Sequence, residues 1–242
     1  MAEINYRYGI QVGNPPEIRK LGVVHYNDIT RDTYGEMTPF VWKNRLMRVE
    51  TVWMPGGGAY FLIRDVEHNR VFPRFAFDCY FSSAYCENDI VYVFGSTAGM
   101  PGHGGGSGIK MFWSGDLEHW NEKLIIDQPG WKLYNTSVCK GLNEYVMAIE
   151  VGDPPEIAGR PFTMYFAASA DLMSWHMMPL ECNYSKARYT ACPALRYLDD
   201  GFYYMIYLEE LPLLRYAPYI CRTGDFVNFE IGLHSPVMFC SP

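Results

Sequence analysis

The sequence predicts an all-β fold, a β-propeller with four assignable blades. Two nested repeats and an aromatic-rich composition predict it. The outer repeat is a short turn: Ser114-Gly115-Asp116-Leu117-Glu118-His119-Trp120, then Ser169-Ala170-Asp171-Leu172-Met173-Ser174-Trp175, then Thr223-Gly224-Asp225-Phe226-Val227-Asn228-Phe229. The aspartates are spaced by 55 and 54 residues, and Asp65, 51 residues before Asp116, reads as a degenerate first copy. A fixed period of this length marks one supersecondary unit used repeatedly. Aspartate and serine start such turns because their side chains accept hydrogen bonds from backbone N–H groups two residues on. The Trp or Phe that closes each motif (Trp120, Trp175, Phe229) is predicted to pack against a neighbouring unit.

The inner repeat is a hairpin. Met37–Glu50, Ser82–Gly95, Asn135–Glu150 and Thr190–Glu209 each read as a strand, a polar turn and a second strand rich in aromatic and β-branched residues. The turns are Lys43-Asn44, Glu87-Asn88-Asp89, Gly141-Leu142-Asn143 and Asp199-Asp200-Gly201, and Asn and Asp-Gly pairs between apolar runs are hairpin signals. A Gly- and Pro-rich loop follows each hairpin and leads to the strand that ends in the Asp turn. Each unit is therefore a four-stranded antiparallel meander, and such meanders repeated radially build a propeller. The expected blades span about 36–76, 77–127, 128–181 and 182–232, after an unassigned N-terminal segment, 1–35. Residues 233–242 read as a tail or the start of a missing blade.

The composition narrows the class. Apolar residues make up 49% of the 242 residues and aromatics 16%, enough for a large core and too many for disorder. No apolar run reaches the roughly 18 residues of a membrane span, and the N-terminus carries no apolar leader. The seven cysteines (79, 86, 139, 182, 192, 221, 240) are odd in number and form no CxxC pair. They are expected to be reduced core residues of a cytoplasmic protein, with no metal and no cofactor. A net charge of −7 argues against nucleic acid as a partner.

The Asp-Leu-x-x-Trp turns, the Asp200-Gly201-Phe202-Tyr203-Tyr204 hairpin and a period in the low fifties together resemble the five-bladed propeller glycosidases, the group containing glycoside hydrolase families 43, 32, 62 and 130. The resemblance covers residues 36 to 232. It implies a sugar site at the central axis on one face of the propeller. Two features depart from that group. Four blades are assignable rather than five, so an open blade edge is expected, left as a wide gap, closed by an element from residues 1–35, or covered by an oligomer or a partner chain. The Asp-Pro step typical of a family-43 catalytic blade is replaced by Thr38-Pro39, Thr136-Ser137 and Cys192-Pro193, so that family's carboxylates do not transfer.

The hairpins offer other carboxylates. Glu50, Glu150 and Glu209 end the second strand of three blades and are expected at equivalent positions on one rim, with Asp78 nearby. Glycoside hydrolysis needs two carboxyl groups, one to protonate the leaving oxygen and one to act as base or nucleophile. Asn135, Arg188, Tyr189, His103 and Trp53 are the expected substrate-binding residues, with Tyr134 and Tyr216 as further stacking platforms. The His103-Gly104-Gly105-Gly106 run lacks a companion Gly-x-Ser-x-Gly elbow, so it is not read as an esterase loop. The reading is a carbohydrate-active enzyme, a glycoside hydrolase using carboxylate acid–base catalysis on a carbohydrate substrate. The alternative is a propeller that only binds sugar or serves as a scaffold.

Overall fold

In the computed structural model, residues 32–99, 105–160, 162–212 and 215–237 are described, together with a short antiparallel pair, β1 (Ile4–Asn5) and β2 (Ile10–Gln11). Four antiparallel meanders follow in chain order. The first contains β3 (Thr33–Trp42), β4 (Arg45–Trp53) and β5 (Ala59–Asp65). The second contains β6 (Cys79–Glu87), β7 (Ile90–Thr97), β8 (Gly108–Ser114) and β9 (Asn121–Asp127). The third runs β10 (Lys132–Lys140), β11 (Tyr145–Asp153), β12 (Thr163–Ser169) and β13 (Trp175–Met177). Blade 4 is β14 (Thr190–Tyr197), β15 (Tyr203–Leu211), β16 (Arg215–Thr223) and β17 (Glu230–Ile231). The only helix among the described residues is one turn, α1 (Pro155–Ala158). Among the described residues no helix is long and apolar enough to cross a membrane. The arrangement is a four-bladed β-propeller.

Local chemistry explains the turns. Lys43 and Asn44, and likewise Asn88 and Asp89, all have positive φ, the geometry that lets a two-residue hairpin follow the strand twist. Oδ1 of Asp116 accepts the N–H groups of Glu118 and His119 at 2.9 and 2.8 Å. Asp171 does the same for Met173 and Ser174 at 2.8 and 2.7 Å, and Asp225 for Val227 and Asn228 at 2.9 and 2.7 Å. Asp65 repeats the pattern with Glu67 and His68, both at 3.1 Å, so it is a true if looser copy. In the three later copies the next residue, Leu117, Leu172 or Phe226, takes a left-handed φ and is buried. Among the described residues blade 1 has no fourth strand in its sheet. Isolated bridges from Phe61 to Phe75 and from Arg64 to Val71 cover that edge.

The blades are joined by three apolar cores. One joins blades 1 and 2 around Phe61, Ile63 and Phe112. The second joins blades 2 and 3 around Phe94, Met111 and Tyr165. The third joins blades 3 and 4 around Phe166, Leu195 and Tyr207. Burying a side chain of this size contributes about 1.5–3 kcal/mol. The ring that ends each turn motif packs back onto the preceding blade. Trp120 stacks on Phe75 at 3.9 Å with the planes 2° apart, Trp175 meets the edge of Phe94 at 6.3 Å, and Phe229 stacks on Phe166 at 6.0 Å.

The innermost strands β3, β6, β10 and β14 neighbour one another in series, but β14 does not pack back on β3 in the same way. The described blades form an open arc. The outward face of blade 4 leaves Ile206, Tyr216 and Ile231 exposed. Cysteines 79, 139, 182 and 221 are buried and unpaired, Cys86 is half-buried, and Cys192 alone among the described cysteines is exposed. Cys240 lies outside the described residues.

Candidate functional site

A shared irregularity in the first hairpin of each blade positions the site. In every blade two residues of the inner strand oppose one residue of the second strand. The pairs are Gly35-Glu36 opposite Thr51, Phe81-Ser82 opposite Gly95, Tyr134-Asn135 opposite Glu150, and Cys192-Pro193 opposite Tyr207. Such bulges bend the strand and re-aim side chains. Here they turn one end of each inner strand toward the axis. Phe81 and Cys192 hold φ values of 59° and 53°, a costly backbone region for side chains of this kind.

The bulges gather Glu36, Asn135, Glu150 and Cys192 from three blades. Glu36, Asn135 and Cys192 line one mouth of a cavity of about 330 Å³ whose lining comes from all four inner strands, and Glu150 lies buried behind Asn135 and Cys192. Glu150, in β11, is buried. Its Oε2 accepts Asn135 Nδ2 at 2.9 Å and the Cys192 backbone N–H at 2.8 Å. Glu36 lies across from it, and its Oε2 is buried with no hydrogen-bond partner among the described residues. Burial, reinforced by the neighbouring Glu150 charge, pushes the Glu36 carboxyl from an ordinary 4.5 up to about 8. Burial also raises Glu150, to about 7, against the pull of its two donors. These are the two ways a carboxyl is driven toward neutrality, loss of water and a like charge. Cys192 faces the cavity rather than bulk water. Its poorly solvated position, together with Glu150 and Glu36, pushes its thiol up to about 12, so it stays protonated.

Around this mouth runs an arc of rings. Trp53 contacts Tyr80 at 5.0 Å and Phe81 at 6.2 Å; Phe81 contacts Tyr134 at 5.3 Å. The line continues from Tyr134 to Phe162 at 4.8 Å, to Tyr189 at 5.5 Å and to Tyr216 at 5.4 Å. Gly152 is required here: a Cβ on it would lie 2.6 Å from the Phe162 ring and 2.7 Å from Tyr134. The Glu150 charge reaches both Tyr134 and Tyr189.

The structure separates the carboxylates that the sequence grouped. Glu150 and Asn135 are in the axial group, and Tyr189 and Trp53 border it. Glu50 is not equivalent to Glu150. The bulge makes Thr51 the matching residue, so Glu50 sits on the opposite side of the pleat. There it is fully buried between Arg48 Nε at 2.5 Å and Arg64 Nε at 2.9 Å. Glu209 is two residues beyond the matching Tyr207 and is held by Arg188 Nη1 at 3.1 and 3.2 Å. Asp78 is exposed beside the Gly58 loop, at φ 59°. His103 lies outside the described residues. An alignment of the hairpins without bulges pairs Met37 with Asn135 and leaves Glu36 outside the site. Counting the two-residue bulge aligns Glu36 with Asn135 instead. Among the described residues no group of three or more His, Cys, Asp or Glu side chains could hold a metal ion.

No protein-family model matches the chain, and no curated protein does so by sequence. Solved structures do match in shape. A glycoside hydrolase superposes with a TM-score of 0.61 at 13% identity, over 83% of this chain and 73% of the other. The α-L-arabinanase of Penicillium chrysogenum, complexed with arabinobiose, gives 0.59 at 10% identity over 85% of this chain and 68% of its own. The chain has the propeller fold of glycosidases. The GH32 β-fructofuranosidase BmSUC1 of Bombyx mori also matches, at 0.60 and 10% identity over 83% of this chain, which spans about half, 49%, of that enzyme.

Proposed function

We propose that the chain is a glycoside hydrolase whose reacting carboxyls are Glu36 and Glu150. One observation supports the reading: Glu36 lines the axial cavity, Glu150 is buried directly behind that lining against Asn135 and Cys192, both carboxyls are pushed toward neutral pH, and their surroundings differ. Paired groups with pKa values pushed apart are how one site holds an acid and a base together. Glu36 has the higher value and an oxygen with no partner among the described residues. It keeps its proton near neutrality and delivers it to the glycosidic oxygen. Glu150 has two donors on Oε2 that favour its anion. It serves the opposite face of the sugar, either taking a proton from the attacking water or bonding to the anomeric carbon itself; the anomer released distinguishes the two. Asn135 keeps the carboxyls in register. The rings of Trp53, Tyr134 and Tyr189 offer apolar faces to the C–H faces of sugar rings. In this reading Glu50 and Glu209 are structural ion-pair partners of arginine, and Asp78 is a rim residue.

The test is turnover of a panel of aryl glycosides and oligosaccharides by the wild type and by Glu36→Gln and Glu150→Gln. Either substitution is expected to slow cleavage by roughly 10²–10⁴-fold, the usual share of a general acid or base. Turnover that survives both substitutions would sink the assignment. Sugar binding with no turnover on any substrate would move the protein to the binding-only class.

A further inference from the structure

The axial cavity holds a cation that the proposed chemistry does not use. Along β14, the residues Cys192, Ala194 and Arg196 alternate onto one exposed side of the strand, and all three line the cavity below the carboxyls. Arg196 also lines a second cavity, of about 400 Å³, that continues the axis toward the opposite face. Its side chain therefore stands at the waist of an axial channel.

The polar groups around it are already engaged. Thr38 Oγ1 donates to the Ser82 carbonyl at 3.0 Å, Ser83 and Thr136 share a hydrogen bond at 2.7 Å, and Ser137 Oγ accepts the Leu195 N–H at 2.9 Å. The other basic residue in the lower cavity, Lys140, is paired with Glu87 at 2.6 Å, and Glu87 also accepts the Tyr145 hydroxyl at 2.5 Å. Arg196 differs. Nη1 donates to the Leu195 carbonyl at 2.7 Å, and among the described residues no carboxylate stands within ion-pair distance of the guanidinium. A guanidinium carries five N–H donors in a fixed fork that fits a carboxylate or phosphate with two parallel hydrogen bonds. Most of those donors remain open to the channel.

Position sets what the guanidinium can read. Arg196 is four residues along β14 from Cys192, whose N–H holds Glu150. At about 3.3 Å per strand residue that is roughly 13 Å, less the reach of a side chain that can fold back along the strand. A ligand whose glycosidic oxygen meets Glu36 thus extends an outer substituent toward Arg196. The 330 Å³ space is of ligand-pocket size. We infer that the axial cavity takes an anionic sugar, with Arg196 gripping a carboxylate or phosphate substituent at the end away from the scissile bond. The inference deepens the hydrolase reading, on which its link to cleavage rests, and its binding test stands apart from turnover.

The experiment is calorimetric binding at pH 7 of glucose, galactose, glucuronate, galacturonate, glucose 6-phosphate and inorganic phosphate. At least one anionic sugar is expected to bind roughly 10- to 100-fold more tightly than its neutral counterpart, the range for a charged hydrogen-bonded pair. Arg196→Gln should remove that preference and leave neutral-sugar affinity unchanged, while Arg196→Lys should restore part of it. Uronate preference assigns a carboxylate and sugar-phosphate preference a phosphate ester; either supports the inference. No anionic sugar bound more tightly than its neutral partner, binding of inorganic phosphate alone included, overturns it. So does a preference that survives Arg196→Gln. If the preference holds while Glu36→Gln and Glu150→Gln leave turnover unaffected, the catalytic assignment fails and the binding assignment stands.

Discussion

Replacing Glu36 by Gln should change how the stability of the fold depends on pH. Glutamine keeps the shape of the protonated acid and cannot ionise. In the unfolded chain Glu36 loses its proton around pH 4.5, whereas in the fold it holds the proton up to about pH 8. Its folded pKa is raised, so the stabilisation is fully present below pH 4.5. It is lost as pH rises through about 8, because over that window the unfolded state binds fewer protons. Each tenfold change in the proton equilibrium is about 1.4 kcal/mol, so the shift from 4.5 to about 8 sets a ceiling of about 5 kcal/mol. Relaxation of water around a carboxyl that borders the cavity roughly halves this, to 2–3 kcal/mol. Urea unfolding of wild type and Glu36→Gln from pH 4 to 9 measures it. The two curves should coincide near pH 4, and the variant should be the more stable above pH 8. Parallel curves across the range would refute the claim that Glu36 is desolvated beside a second carboxyl.

Other outcomes follow from the same geometry. Cleavage should require Glu150 ionised and Glu36 protonated, so the rate should fall below about pH 7 and above about pH 8; a rate flat from pH 5 to 9 contradicts the pair. Glu50→Ala removes the partner of Arg64 and Arg48 and should cost about 3–5 kcal/mol in chemical unfolding, while folded variant keeps its turnover. Trp120→Ala takes away a ring stacked on Phe75 at 3.9 Å, and a loss of about 3–5 kcal/mol is expected by the same assay. Tyr134→Ala should weaken sugar affinity measured by calorimetry with little effect on the rate of bound substrate.

What the sequence settled by itself is local. An aspartate followed by free N–H groups two and three residues on makes its turn wherever it stands, so Asp65, Asp116, Asp171 and Asp225 were legible, and with them the period and the propeller. The rings after those turns were legible as interblade contacts for the same reason. Glu150 and Asn135 could also be chosen from the chain as residues of the candidate site. The partner of Glu150 could not. In a strand the side chains alternate between faces, so an error of one residue in register moves a side chain to the other face. The extra residue of each bulge is such a step. It places Glu36 on the axis and sends Glu50 between two arginines on the far side of the sheet. The spacing of apolar residues does not record a bulge, because the residues on either side of it keep their own alternation. Only the packing of four inner strands around one cavity decided which carboxyls face each other, and which arginine was left facing the space below them.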